Sequence, residues 1–375
     1  MYPPKKRCRM KFTILQQDLW PVLQAVSRSC GVRSQLPVLG NILLKAEKDR
    51  LKLSATNLEI GVIRTVRADV AEEGEVTVPA KTLVEVVANL AGEELKINSN
   101  TDQVEITTKT FSSRLNGIAA AEFPTIPLSG KRTATFTPEV LLKSLPQVIF
   151  AAASEDGRPI LTGILTEVKD KKLQLVATDG YRLAHKSIPV AENITLKALV
   201  PRRTYEEVAK LIGEEETDEV GVSLSDDQNQ IIFSFGNTLA SSRLIEGQFP
   251  AWEKIIPAAT LARTIVDRAE LLKSVKLASV FARSEANVVR LSSFAQKLVL
   301  SSEAKELGSQ KREMEAQGEG EEIQIAFNTK FLQDVLTSVN SSQIIIELSG
   351  SLSAAILKPM GEEGLQYIIM PVNLS

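Results

Sequence analysis

The chain has 375 residues, enough for two or three domains at about 150 residues each. Its net charge of -2 is not that of a strongly basic nucleic-acid binder, and two cysteines exclude a disulfide framework and a cysteine-rich zinc site. No apolar run approaches the roughly 20 residues of a membrane helix, and the opening residues do not resemble a signal peptide. We therefore expect a cytoplasmic protein without a membrane segment.

The chain opens with residues 1–9, a basic tail that is expected to be a disordered extension rather than an arm that touches DNA. Short segments with alternating apolar residues follow and are typical of strands, as in residues 51–55. Polar turns join these segments, which indicates antiparallel sheets.

Six amphipathic helices are predicted from apolar residues at helical spacing. They span 18–33, 80–91, 138–153, 201–212, 267–283 and 328–339.

These elements recur in three copies of one unit. The segment LSATNLEIGV from Leu53 matches LVATDGYRLA from Leu175, 122 residues later. The second helix of each copy follows Val78, Val200 and Phe327, with spacings of 122 and 127. A period of about 120 residues is far above that of solenoid repeats, so each copy is predicted to be a domain with its own core.

We therefore predict an α+β fold of three repeated domains, each with two helices packed on antiparallel sheets. The predicted domains are 10–130, 131–259 and 260–375.

Reactive side chains are too sparse to indicate an enzyme. His185 is the only histidine, which excludes a histidine-based triad or a multi-histidine metal site. Asp179 matches Asn57 of the first copy, so we interpret it as a turn residue. We interpret the acidic runs at Gly213 and Gly318 as solvated turns rather than metal sites. No catalytic residue, metal or cofactor is predicted, and the alternative is a repeat-built enzyme that uses Asp, Glu and Arg.

Charge is unevenly distributed along the chain. The six predicted helices carry a net +4 and the tail +4, which leaves -10 on the remaining residues of a chain whose total is -2. Duplex DNA carries one negative charge per ~1.7 Å, so a surface built from the helices would attract it without reading its sequence. The candidate phosphate contacts are Arg28, Arg33, Lys81, Lys143, Arg158, Arg202, Arg203, Lys273, Lys276, Arg283 and Lys330.

Nine segments between Met10 and Leu374 resemble the DNA polymerase III β subunit family, the bacterial sliding clamps. They are MKFTILQQDL, LPVLGNILL, VPAKTL, EFPTIP, RPILTGILTE, ATDGYRLA, VPRRTY, GQFPAWEKIIP and YIIMPVNL. The combination of the TDGYRL turn, the FP segments and the C-terminal MP element is specific to that family.

The resemblance implies a non-enzymatic processivity factor. In that family, two three-domain subunits form a head-to-tail homodimer, a six-domain ring around duplex DNA with helices lining the hole. The implied partners are DNA polymerase III, the clamp loader and other clamp-motif proteins. The resemblance best supports Arg33, Arg158, Arg202 and Arg203 as DNA-binding residues, and Lys81, Lys273 and Lys330 complete the predicted set.

The family also has a docking pocket for short peptides with Leu or Phe side chains, between its second and third domains. The resemblance places it at Leu161, Thr178, Gly180, Tyr181, Arg182, Leu183, Pro250, Lys254, Ile255, Leu352, Ile368, Met370, Pro371 and Val372.

The C-terminus departs from the family pattern, because Val372 and Asn373 stand where members often have Met and Arg. Lys254 also replaces a common Arg, so partner affinity or motif preference is expected to differ. The remaining alternative function is a duplex-binding protein that does not encircle DNA.

Overall fold

The computed structural model describes residues 9–31, 36–100, 102–128, 130–154, 157–190, 196–282, 287–305 and 308–373. These residues form two compact units. The N-terminal unit contains Met1–Pro138 and Glu207–Leu244, and the C-terminal unit contains Glu139–Glu206 and Ile245–Ser375. Apart from Arg9, the predicted tail lies outside the described residues.

The chain contains six described helices and many short strands. The helices are α1 (Gln16–Ser27), α2 (Ala80–Ala88), α3 (Pro138–Ile149), α4 (Arg202–Gly213), α5 (Arg268–Ala282) and α6 (Thr329–Ser338). The strands are β1 (Arg9–Leu15), β2 (Asn41–Glu47), β3 (Arg50–Thr56), β4 (Ile60–Arg67), β5 (Asp69–Glu72), β6 (Gly74–Pro79), β7 (Glu94–Asn100), β8 (Gln103–Thr107), β9 (Ser112–Asn116), β10 (Lys131–Phe136), β11 (Gly163–Lys169), β12 (Lys172–Thr178), β13 (Arg182–Pro189), β14 (Leu196–Pro201), β15 (Val220–Leu224), β16 (Gln230–Phe235), β17 (Thr238–Arg243), β18 (Ala262–Asp267), β19 (Val288–Ser293), β20 (Lys297–Ala304), β21 (Gly308–Gly320), β22 (Ile323–Asn328), β23 (Gln343–Leu348), β24 (Ala355–Pro359) and β25 (Leu365–Ile369).

The strands assemble into three sheets. The N-terminal unit contains a five-stranded sheet, β5-β1-β7-β8-β9, and an eight-stranded sheet, β10-β15-β16-β17-β4-β3-β2-β6. The C-terminal unit contains a twelve-stranded sheet, β14-β11-β12-β13-β25-β24-β23-β18-β21-β20-β19-β22. Every ladder between described strands is antiparallel. The prediction of an α+β fold with antiparallel sheets is therefore confirmed.

The element order repeats three times along the chain. The first copy runs from β1 to β9 with α1 and α2, the second from β10 to β17 with α3 and α4, and the third from β18 to β25 with α5 and α6. Each copy thus has two helices and eight or nine strands, as the sequence repeat predicts.

Alternation along the strands builds the core of each copy. In β1, Met10, Phe12 and Ile14 are buried, whereas Arg9 and Lys11 are exposed. Successive strand residues point to opposite faces of a sheet, so one face of β1 turns inward. Each fully buried Leu, Ile or Phe side chain contributes about 1.5–3 kcal/mol to folding. Leu, Ile, Val and Ala dominate the buried set, in a chain whose aromatic content is only 5%.

Antiparallel ladders also join successive copies, with β4 pairing β17 and β13 pairing β25. The two junctions have the same register in repeat terms, because Gly61 faces Ser241 in the first and Leu183 faces Ile368 in the second. A Cβ atom added to Gly61 would lie 2.6 Å from Cγ2 of Ile126. At the first junction, Ile126 therefore fills the space that a larger side chain at position 61 would need.

Three helices end at least three residues earlier than predicted, and one of them is α2, which ends at Ala88 rather than at residue 91. α1 ends at Ser27 rather than at residue 33. Just after this end, the backbone N–H of Ser29 donates to the carbonyl of Val26, three residues before it. α3 ends at Ile149 rather than at residue 153. Without Arg28 and Arg33 in α1, the observed helices carry a net +2 instead of the predicted +4. None of the helices in the described ranges is long and apolar enough to cross a membrane.

We expect the substitution Leu58→Gly to stabilise the protein. Leu58 has a φ of 77° and is 55% exposed, whereas Gly180 holds the equivalent position in the second copy with a φ of 92°. Relief of the left-handed conformation, which costs a non-glycine residue about 1–2 kcal/mol, should outweigh the added chain entropy of glycine. We expect a gain of about 0.5–1 kcal/mol in the free energy of unfolding, measured by urea titration.

The matched control is Gly180→Ala, which imposes the same strain on the second copy. An added Cβ atom there would also lie 3.2 Å from Nη1 of Arg158. This variant should lose stability, and a loss for Leu58→Gly would contradict the strain argument.

Candidate functional site

Two turns at equivalent places in the first two copies are held by the same hydrogen bonds. Oδ1 of Asn57 accepts from the backbone N–H groups two and three residues later, at 3.0 and 2.8 Å. Oδ1 of Asp179 accepts from the corresponding groups at 2.9 and 3.0 Å. Asx side chains commonly fix turns in this way. The prediction that Asp179 is a turn residue is confirmed, and this turn shapes one side of the candidate groove.

Arg182 lies beneath this turn and is only 9% exposed. Its guanidinium donates to Oδ2 of Asp179 at 3.0 Å, to Oδ2 of Asp334 at 2.6 Å and to the carbonyl of Phe150 at 2.9 Å. The rings of Phe150 and Phe331 lie 5.3 and 4.7 Å from its central carbon. Arg182 was predicted as a partner-binding residue. In the structure its guanidinium is already hydrogen-bonded to residues beneath the candidate groove.

A buried apolar cluster lies among the predicted groove residues, and we call it the floor of the candidate groove. Its members come from β11, β12, β13, β14 and β25 and from the segment before β24, and they are Leu165, Val176, Leu183, Leu199, Ala354 and Ile368. Half-buried side chains pack against this floor, namely Ile160, Ile245, Phe249, Trp252 and Ile256. Of the predicted groove residues, Leu183 and Ile368 thus belong to the floor and face each other across the β13–β25 ladder.

Four large apolar side chains beside the floor are exposed. Tyr181 is 63% exposed, Ile255 37%, Leu352 69% and Met370 41%. Each lies within two residues of a floor residue or of a side chain packed on the floor. Grouped exposed apolar side chains commonly mark an interaction surface. These four were all predicted, and we call them the groove wall.

Backbone hydrogen bonds fix the C-terminal segment at this wall. The N–H of Met370 donates to the carbonyl of Tyr181 at 2.9 Å, and the N–H of Val372 donates to the carbonyl of Ala326 at 2.8 Å. The ring of Tyr181 stacks on that of Phe331 at 6.4 Å. The side chain of Met370 thus projects from a fixed backbone, and its flexibility suits contact with differing apolar partners.

The other predicted groove residues lie in the same unit. Leu161 and Thr178 are buried, and the Thr178 hydroxyl donates to the carbonyl of Arg182 at 2.6 Å. Gly180 lies next to Leu161, whose Cδ1 is 4.0 Å from the position that a Cβ atom would take. Pro250 and Lys254 are exposed, while Pro371 and Val372 are half-buried. The arrangement has a supporting inner layer and an accessible outer layer, as an apolar peptide groove requires.

Sequence reasoning missed the half-buried side chains that pack on the floor, Trp252 above all. Its ring centroid lies 4.4 Å from that of His185, which was not predicted to have a role at the site. Trp252 lies within GQFPAWEKIIP, one of the segments that carry the family resemblance. The apolar residues of that segment were the signal that could have placed Trp252 at the groove.

Exposed cations recur at one position of the repeat. Lys81, Arg203 and Lys330 are the second residues of α2, α4 and α6, and all three are exposed. Within the described residues none of them forms an ion pair. Lys273 is also exposed, on α5. These four predicted DNA-binding residues present free charges at the surface.

The remaining predicted cations differ in their surroundings. Arg202 is half-buried, with Nε 2.7 Å from Oε1 of Glu206, and Arg158 is exposed beside Gly180. Arg33 and Arg283 lie outside the described residues.

Arg28, a further candidate phosphate contact, is already paired with acidic side chains. It forms ion pairs with Glu207 at 2.6 Å and with Glu214 at 2.9 Å. These carboxylates neutralise its charge, so Arg28 is a poor candidate for a phosphate contact.

The prediction of a solvated acidic turn at Gly213 is wrong for Glu215. The side chain of Glu215 is 6% exposed, lies 3.4 Å from Nε of Arg64 and accepts hydrogen bonds from the N–H of Asn237 and the hydroxyl of Thr238. The acidic residues of the run at Gly318 are exposed as predicted, but the run is not a turn throughout, because residues 318–320 form the end of β21 and pair with β18. No group of three His, Cys, Asp or Glu residues within the described ranges could hold a metal ion.

Comparisons with known proteins cover nearly the whole chain. Models of the DNA polymerase III β subunit match residues 10–127 as the N-terminal domain, 135–251 as the central domain and 253–373 as the C-terminal domain. The beta sliding clamp of Synechococcus elongatus is 31% identical over 374 residues, and that of Pseudomonas putida is 32% identical over 372 residues. Each alignment covers 97% of this chain and 100% of the relative.

A solved structure has the same fold. The crystal structure of a DnaN sliding clamp from Pseudomonas aeruginosa, bound to griselimycin, superposes with a TM-score of 0.92 at 29% identity. The superposition covers 97% of this chain and 100% of the solved chain.

Replacing Arg182 with Ala should destabilise the protein far more than replacing its neighbour Tyr181. Arg182→Ala leaves Asp179 and Asp334 without their cation, and we expect the free energy of unfolding to fall by about 2–3 kcal/mol. That is less than the 3–5 kcal/mol of a fully buried pair, because Asp334 is 31% exposed. The control Tyr181→Ala removes an exposed side chain and should cost less than about 1 kcal/mol. Equal losses in urea titrations would contradict the supporting role of Arg182.

Proposed function

Because the chain belongs to the DNA polymerase III β subunit family, the bacterial sliding clamps, we propose that two copies join head to tail into a ring around duplex DNA. The ring holds DNA polymerase III, the clamp loader and other partners through the groove, and it acts in the cytoplasm. A sliding clamp is a non-catalytic processivity factor, so its chemistry is binding and enclosure. Three domains, 10–130, 131–259 and 260–375, make up each half of this ring, and the limits of the three family matches support that division.

The order of strands in the sheets is the observation that carries the ring proposal. By repeat position, β9 corresponds to β17 and β25, while β21 corresponds to β4 and β13. In the described part of the chain β9 is an edge strand, and residues 308–315 pair only with β20. Pairing β9 of one copy with β21 of a second copy repeats the β4–β17 and β13–β25 junctions. Doing so twice covers both open edges and closes a two-fold ring.

The repeated cations support contact with the DNA backbone. A cation in the first turn of a helix faces the positive end of the helix dipole, so Lys81, Arg203 and Lys330 do not favour stability where they stand. A helix N-terminus and a cation together attract phosphate. Contacts of this kind are independent of sequence and weaken with salt, as sliding requires.

Enclosure and docking together explain processivity. A closed ring stays on DNA without tight binding, and a partner peptide in the groove keeps an enzyme at a high effective concentration near the duplex. The groove wall offers apolar side chains around a buried floor, which suits a short motif with Leu or Phe.

Removing the three repeated cations should weaken the hold on DNA without weakening the fold. For the triple variant Lys81→Ala, Arg203→Ala and Lys330→Ala, the lifetime on nicked circular duplex should shorten. The salt slope should fall by about one per cation that contacts phosphate. The free energy of unfolding should hold or rise, because each cation opposes a helix dipole.

The matched control replaces three exposed strand lysines, Lys11, Lys96 and Lys172, with Ala. An equal loss of lifetime in this control would reject the helix-borne cations as the DNA contacts. Electron microscopy of both variants should give rings of six lobes. On linear duplex with free ends every variant should escape quickly, and equal lifetimes on linear and circular DNA would favour a duplex-binding protein that does not encircle.

Truncating the groove wall should weaken peptide docking alone. For Leu352→Ala with Met370→Ala, we expect about a tenfold loss of affinity for a labelled peptide with Leu and Phe side chains, measured by fluorescence polarisation. Ring formation should not change, since both side chains are exposed. Leu183→Ala is a poorer test because Leu183 is 2% exposed, and its loss should cost about 2–5 kcal/mol of stability.

Met360→Ala is the control for the groove wall. Met360 is 37% exposed in the same unit and does not pack on the floor. Unchanged affinity in the double variant would reject the groove assignment.

A further inference from the structure

A row of polar side chains borders the apolar floor of the groove. His185 faces Gln366 across the β13–β25 ladder, one step of the same sheet face beyond the pair formed by Leu183 and Ile368. Gln174 reaches this row from β12. The sheet face therefore changes from apolar floor to hydrogen-bonded polar row over a distance of two residues.

The hydrogen bonds of this row specify a neutral histidine. Nε2 of His185 lies 2.6 Å from Oε1 of Gln174, and Nε2 of Gln366 lies 3.2 Å from Nδ1 of His185. The amide nitrogen of Gln366 donates, so Nδ1 accepts and Nε2 carries the proton that is donated to Gln174. The amide nitrogen of Gln174 donates to the hydroxyl of Ser187 at 3.1 Å, which turns its oxygen towards the imidazole.

The imidazole is in contact with Trp252. The two ring centroids are 4.4 Å apart with an angle of 41° between the planes, within the range of favourable aromatic pairs. Trp252 is half-buried and packs against the groove floor. It begins the 3₁₀ turn Trp252–Ile255, which also carries the predicted groove residues Lys254 and Ile255. The position of Trp252 therefore determines where this side of the groove stands.

We propose that His185 is a positioning residue for the groove, clamped between Gln174 and Gln366 so that its ring holds Trp252 against the floor. The inference rests on the proposed docking function, because His185 would position a residue of the docking groove. In this role His185 acts on the groove through Trp252.

Burial, opposed in part by a nearby charge, sets the pH range in which the neutral His185 keeps its hydrogen bonds. Glu253 follows Trp252 in its turn, and His185 also lines a cleft of about 570 Å³ together with Lys358, Glu362 and Glu363. Burial lowers the pKa of His185 to about 4, and the nearby carboxylate of Glu253 opposes this in part.

The imidazole is therefore neutral near pH 7, and protonation would remove the acceptor that Gln366 needs. In the unfolded chain histidine titrates near pH 6.5, so folding stability should decline as the pH falls from about 6.5 to about 4. The hydrogen bond from Gln366 to His185 is lost as the pH falls through about 4.

Fluorescence of Trp252 tests whether His185 positions it, and the test needs no peptide. The chain has two tryptophans, so Trp20→Phe leaves Trp252 as the only emitter. In that background, His185→Ala should shift the emission to longer wavelength and increase quenching by acrylamide. The parent should make the same change only as the pH falls through about 4. In His185→Phe, which keeps a ring against Trp252, the emission should stay near that of the parent and the pH response should disappear.

Peptide affinity tests the consequence for docking. With the labelled peptide bearing Leu and Phe, His185→Ala should bind about fivefold more weakly, the scale of one lost aromatic contact. His185→Phe should recover most of that loss. The control Ile63→Ala changes the equivalent strand position of the first copy and should keep the parent affinity. Parent-like emission and affinity in His185→Ala would overturn the proposal. If the parent chain binds no peptide, the docking function fails, and the emission experiment still decides whether His185 positions Trp252.

Discussion

The antiparallel ladder between β13 and β25 joins the second and third copies of the repeat and also carries the site. Its Leu183–Ile368 pair lies in the groove floor, and its His185–Gln366 pair lies in the adjoining polar row. A slip of β25 by one residue in this register would turn Ile368 and Gln366 to the face opposite Leu183 and His185. The groove therefore depends on the same backbone hydrogen bonds that connect the two copies, and its geometry follows the stability of that ladder.

The cations at the helix starts show a different relation between fold and function. Lys81, Arg203 and Lys330 occupy one repeat position at which a positive charge opposes the helix dipole. Folding alone gives no reason for three such residues, because an acidic side chain would serve the helix better. Their recurrence is understandable if the helix starts face a polyanion. The pair of Arg182 and Asp334 is the contrasting case, since the buried guanidinium of Arg182 is paired within the fold and supports the groove from within.

Local patterns in the sequence predicted the copies, the strand alternation and the turn at Asp179, because each depends on residues close together in the chain. The pairing of Arg182 with Asp334 spans 152 residues and leaves no trace in a single sequence. Glu215 was misjudged for the same reason, since its burial depends on Arg64 from another copy. The early end of α1 was missed because its apolar spacing continues beyond the last helical hydrogen bond. The groove residues came from family resemblance, whereas the contact of Trp252 with His185 required coordinates.

The close fit of Ile126 over Gly61 bears on how partners share the molecule. The first junction has the same ladder as the second, yet Ile126 occupies the space beside position 61, whereas position 183 carries a leucine of the groove floor. If docking is confined to the second junction, the proposed ring of two chains has two docking places. Such a ring could not seat a polymerase, a clamp loader and a third partner at once, so these proteins would compete according to their relative concentrations and dissociation rates. The side chain of Ile126 would then help to limit how many partners one ring holds.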